Sequence, residues 1–121
     1  MIRGIKFVTV AVRNQKEAVK FYTEKLGFRV LTDQPFDEQQ HWIELGLPAS
    51  DSRVVLFTAE WQESLIGKPQ PITFWSDDVR ATAQLLKSRG VDFVMEPKTE
   101  AWGTAAVFKD QDGNQFALSS K

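Results

Sequence analysis

The chain has 121 residues, 42% of them hydrophobic, with 15 Lys and Arg against 16 Asp and Glu, which predicts one soluble globular domain. It has no cysteine and a single histidine, His41; this excludes disulfide scaffolds, thiolate nucleophiles, zinc ribbons, iron–sulfur clusters and any site needing two imidazoles. Both halves are near neutral, no apolar run reaches bilayer-spanning length and the N-terminus has no signal-peptide core, so no nucleic acid or membrane partner is expected and the predicted location is cytoplasmic.

Residues 5–12 are rich in β-branched side chains and read as a strand. Asn14, with Glu17 three residues on, has the spacing of a helix capping box. Ala18, Phe21, Tyr22 and Leu26 then lie on one helical face, and Gly27 stands where a helix stop needs positive φ. Strand-like segments follow at 28–32, 40–45 and 53–58, separated by turn signals at 33–38 and 48–52. The second half repeats this order. Residues 71–76 read as a strand, Asp77 and Asp78 offer a cap, Val79, Ala83 and Leu86 share a helical face, and Gly90 closes the helix. Strands are expected at 91–95, 102–109 and 114–119, with Asp112-Gly113 in a tight turn before the last.

The repeat predicts an α+β fold of two tandem βαβββ modules, forming a curved mixed sheet around a cleft. Within one domain over 1–121, module one covers about 4–58, the linker about 59–70 and module two about 71–120. Strand alternation assigns faces. Val8, Val10, Ile43, Leu45, Val55 and Phe57 are expected to face the first helix, leaving Phe7, Thr9, Ala11, Trp42, Glu44, Val54 and Leu56 on the other side. In module two, Ile72, Phe74, Phe116 and Leu118 face the helix and leave Pro71, Thr73, Trp75, Gln115, Ala117 and Ser119 opposite.

Five motifs in this order resemble the vicinal oxygen chelate superfamily, the glyoxalase, bleomycin-resistance and extradiol-dioxygenase group. They are Val12-Arg-Asn14 with Phe21-Tyr22-Thr-Glu-Lys-Leu-Gly27-Phe28, Asp77-Asp78-Val79, Leu86-Lys-Ser-Arg-Gly90-Val91, Pro97 with Trp102-Gly103, and Lys109-Asp-Gln-Asp-Gly-Asn114. Gln111 replaces the proline of the family's last turn. The resemblance covers nearly the whole chain and implies the two-module fold. It also implies four metal-ligand positions, which fall on Phe7, Leu56, Pro71 and Ala117. None carries a donor suited to a divalent ion, so no metal and no cofactor is expected.

The remaining candidates are aromatic or sparsely polar. Trp42, Trp75 and Trp102 read as lining for a flat or apolar ligand, or as packing between modules or subunits. Trp61 reads as a dimer contact. Thr9, Thr73 and Gln115 would orient a ligand or simply suit strands. Glu44 and His41 are the two candidates for acid–base chemistry. Burial would raise the pKa of Glu44; its other reading is a salt-bridge partner for Arg53, while that of His41 is a rim residue making one hydrogen bond. The reading that follows is a metal-independent, homodimeric protein that binds or sequesters a small apolar or aromatic molecule. Its ligand-binding residues would be Phe7, Thr9, Trp42, Glu44, Leu56, Thr73, Trp75, Trp102, Gln115 and Ala117. The alternative is a lyase, isomerase or dioxygenase of the same superfamily with a non-standard or absent metal site.

Overall fold

A computed structural model describes residues 1–121 and divides them after Ile66 into two units, each a four-stranded mixed sheet carrying an α-helix. In the first unit the order is β1 (Val8–Val10), α1 (Gln15–Lys20), β2 (Arg29–Pro35), β3 (His41–Gly46) and β4 (Arg53–Leu56), with sheet order β1-β4-β3-β2. The second contains β5 (Pro69–Ser76), α2 (Val79–Ser88), β6 (Phe93–Glu100), β7 (Gly103–Lys109) and β8 (Gln115–Ser120), with sheet order β5-β8-β7-β6. In each sheet the strand before the helix pairs in parallel with the last strand, and every other pairing is antiparallel. The βαβββ repeat expected from the sequence is therefore present twice.

Local chemistry sets the helix limits. The Asn14 side chain accepts the Glu17 backbone N–H at 3.0 Å, and Asp78 does the same for Ala81 at 3.0 Å. The first helix widens after Lys20 into a π-helical turn over Phe21–Lys25. There the Leu26 N–H donates to the Phe21 carbonyl, and the Thr23 hydroxyl donates back to the Val19 carbonyl at 2.7 Å. Gly27 and Gly90 end the two helices at φ of 78° and 87°. Ala18, Phe21 and Tyr22 are buried on the first sheet; Val79, Ala83 and Leu86 are buried on the second.

Strand limits differ from the alternation pattern where a pairing partner starts or stops. The first strand is three residues long, not eight. Val8 pairs with Val54, and β4 begins one residue before that, so residues 1–6 have no strand beside them and are exposed. Strand β2 runs on to Pro35 through the predicted turn, because β3 pairs with it as far as His41. The stretch 59–70 holds a short 3₁₀ helix, Glu60–Leu65, before β5 starts at Pro69.

Register also corrects one face assignment. Val54 stands opposite Leu45 and Leu56 opposite Ile43, with Val8 and Val10 beside them. These six side chains share the α1 side of the sheet, and Leu56 is fully buried there. Val55 and Phe57 therefore belong with Thr9, Glu44 and Trp42 on the far side. The expectation fails because 54–57 is apolar at every position: an uninterrupted apolar run has no alternation to read, and only pairing decides its phase.

Candidate functional site

The far side of the first sheet is occupied by its own residues. Phe7, Phe36 and Phe57 surround Trp42, with ring centroids 5.5, 6.2 and 5.2 Å from the indole. Phe36 and Phe57 meet edge-on at 4.8 Å. The 3₁₀ helix closes over the next position, where Gln62, itself buried, donates from Nε2 to the Thr9 hydroxyl at 3.1 Å. Thr9 is thereby committed to an internal bond. Leu56, on the other side of the sheet, does not reach this surface.

Glu44 is a structural carboxylate. One oxygen accepts the Trp42 indole N–H at 2.8 Å and the other accepts from Arg53 at 2.9 Å. Those bonds, the indole N–H foremost and Arg53 next, hold its carboxyl below the usual glutamate range despite burial. This corrects the expectation that burial would raise its pKa and make it a base. Burial does act in that direction, but two donors outweigh it. Its role is to lock the indole plane. His41, exposed on β3, reaches across to β2, where its Nδ1 lies 2.6 Å from Asp33 Oδ1. The two acid–base candidates thus sit in separate places with separate partners, and no nucleophile stands with either.

The corresponding side of the second sheet is bare. Thr73, Ala117, Val107 and Met95 align across four strands, and Trp75, Ser119 and Ala105 form the next row. Along β5 exposure alternates strictly, with Pro71, Thr73 and Trp75 exposed and Ile72 and Phe74 turned inward. Trp75 is 54% exposed, and the Lys121 ammonium lies 4.5 Å over its ring. Gln115 is half-buried at the sheet end, opposite Lys109. Trp102 is exposed in the two-residue turn joining β6 to β7 rather than at a strand start, so it is not part of either row.

The family's metal does not fit these residues. Phe7, Leu56, Pro71 and Ala117 carry no donor, and no group of three or more His, Asp or Glu side chains comes close enough together to hold an ion. Sequence reasoning missed Phe36, Phe57, Val107 and Met95. Phe36 follows a strand that ran longer than its turn signals implied, and the others are placed by register alone.

The glyoxalase/bleomycin resistance protein/dioxygenase superfamily profile matches residues 4–118. The Bacillus subtilis (strain 168) protein YetH is 35% identical over 118 residues, covering 98% of both chains. Among solved structures, TnmS3, an antibiotic binding protein from Streptomyces sp. CB03234, aligns with a TM-score of 0.84 at 32% identity, covering 98% of this chain and 96% of its own. A superfamily member from Sphaerobacter thermophilus DSM 20745 aligns with a TM-score of 0.88 at 28% identity over the whole of both chains. No helix is long and apolar enough to cross a membrane.

Proposed function

The chain belongs to the glyoxalase/bleomycin resistance protein/dioxygenase superfamily, and on that premise we propose that it is a metal-independent binding protein that sequesters a small, flat, apolar or aromatic molecule. The observation that carries this reading is the bare row of β5, β8 and β7. Thr73, Ala117 and Val107 are small and uncharged, and Trp75 offers an exposed ring beside them. Such a surface gains by being removed from water, at roughly 25 cal/mol per Å² of apolar area, and the Thr73 hydroxyl can fix a ligand's orientation. Side chains without donors at the four family metal positions favour binding over metal-assisted turnover. The likeness to an antibiotic binding protein supports the same reading. A cytoplasmic homodimer, with the exposed Trp61 at a subunit contact, completes the proposal.

Tryptophan emission titrated with a panel of polycyclic aromatic probes tests it. Saturable quenching is expected in the native chain, with loss in Trp75→Ala. Purified protein carrying one tightly held divalent ion per chain, or quenching unchanged in Trp75→Ala, would overturn the reading. Sedimentation of the native chain and of Trp61→Ala tests the dimer.

A further inference from the structure

The helix-free side of the second sheet is uncharged along its middle and cationic at its ends. The two rows through Thr73, Ala117 and Val107 and through Trp75, Ser119 and Ala105 carry no charge. Followed outward, the same ladders reach lysines. Lys109 pairs with Gln115 and stands two residues past Val107, which puts it on this side of the sheet. Lys121 stands two residues past Ser119, and its ammonium lies 4.5 Å over the Trp75 ring. On the outer strand, Lys98 is opposite Ala105 and Glu100 is opposite Gly103, and the two form an ion pair at 3.3 Å. That pair compensates itself. Neither Lys109 nor Lys121 has a carboxylate partner.

Composition does not explain this excess. Residues 67–121 hold seven Lys and Arg against seven Asp and Glu, so the unit is neutral and the fold has separated its charges. Glu100 apart, the acidic side chains are placed or engaged elsewhere. Asp77 and Asp78 precede α2, Asp92 follows it, and Glu96 pairs with Lys87 of that helix. Asp110 is buried against Asn114, and Asp112 accepts from Gln111 in the same turn. The surface offered to a ligand is therefore positive while the unit that carries it is not.

We propose that this face selects flat aromatic anions, with Lys121 contacting the acidic group, over neutral or cationic aromatics of the same shape. The proposal rests on the reading of this face as the ligand surface and adds the sign of the ligand's charge. The aromatic body lies on Trp75 and extends over Thr73 and Ala117. Lys121 is already held at that ring. An exposed cation–π contact is weaker than a charge-assisted hydrogen bond, so the ammonium exchanges the ring for the ligand's acid group. Lys109 lies four residues along the sheet from the Trp75 row, about 13 Å at roughly 3.3 Å per residue. That exceeds the screening length of about 8 Å at physiological salt, so Lys109 adds less than Lys121.

Calorimetric titration with naphthoate, naphthamide and naphthylmethylamine at low salt tests this, because the three share one ring system and differ in charge. Naphthoate is expected to bind about tenfold more tightly than naphthamide, and the amine more weakly than either. Salt at about 1 M, where screening acts within about 3 Å, should close most of that gap. Lys121→Gln should bring the ratio of naphthoate to naphthamide affinity down to about twofold, and Lys109→Gln should lower it less. Both lysines are exposed, so neither variant endangers the fold. Three results would overturn the proposal: equal binding of acid and amide, tightest binding of the amine, or a preference that survives in the Lys109→Gln, Lys121→Gln double variant. In each of these the aromatic surface itself would still stand if binding is lost in Trp75→Ala. Saturation by none of the three probes would instead overturn the reading of this face as a ligand surface, and the charge selection with it.

Discussion

The two units repeat one chain plan yet treat the helix-free side of their sheets in opposite ways. In the first, Trp42 is enclosed by Phe7, Phe36 and Phe57, its indole N–H is bonded to Glu44, and Gln62 caps Thr9 from outside. In the second, the equivalent surface carries Pro71, Thr73 and Trp75 in the open, with the Lys121 ammonium over the Trp75 ring. Aromatic side chains therefore do different things in the two places. Enclosed rings stabilise the fold through contact and dispersion, whereas an exposed ring beside small neighbours leaves its surface free for a ligand. A tryptophan count does not separate these uses, but the ring contacts that Trp42 makes with Phe7, Phe36 and Phe57 do.

Substitutions sharpen that contrast. The largest stability effect is expected for Phe57→Ala, about 3 kcal/mol from a cavity in the aromatic cluster, read as a lowered denaturation midpoint. Trp75→Ala should stay within about 0.5 kcal/mol of the native chain while ligand quenching is lost; equal stability losses in the two variants would erase the distinction. Asn114→Ala is next. This buried side chain donates to Asp110 at 2.8 Å and accepts the Gly67 N–H at 2.8 Å, so it ties the β7–β8 turn to the start of β5. Its loss should cost about 2 kcal/mol in urea unfolding.

Glu44→Gln is expected to cost about 1–2 kcal/mol at neutral pH, and its pH profile is diagnostic. The folded carboxyl is held low by Trp42 and then Arg53. Its contribution is therefore fully present above the unfolded-chain glutamate pKa and is lost as pH falls through the lower folded value. Thermal melts of native and Glu44→Gln protein should converge in acid. A gap that widens there would show that the carboxylate does not act as described. Among the substitutions expected to lower stability, the smallest effect is that of Asn14→Ala, about 1 kcal/mol from the lost cap, seen as a modest drop in melting temperature.

Much of this arrangement is legible before folding is considered. The caps at Asn14 and Asp78, the stops at Gly27 and Gly90, the buried helix faces and the strict alternation of β5 are local features, and each carries its own residue signature. The absence of donors at Phe7, Leu56, Pro71 and Ala117 is likewise a property of the chain alone. Other features depend on partners distant in sequence. Val54 through Phe57 give no alternation, so the side that Leu56 occupies follows only from its pairing with Ile43. Phe36 joins Trp42 because β2 runs past its turn signals to keep pairing with β3.

The same division applies to the two ionisable candidates. Composition singles out His41, the one histidine, and strand alternation singles out Glu44, a carboxylate on the same face as Trp42. Their chemistry was decided by tertiary structure. Glu44 lies within reach of both an indole N–H and Arg53, so the field of two donors overrides burial. His41 meets Asp33 across a strand pair and is clamped by Gln15 from the helix. Which residues carry charge is written in the chain; what that charge does depends on which donors the fold brings within three ångströms or so of it.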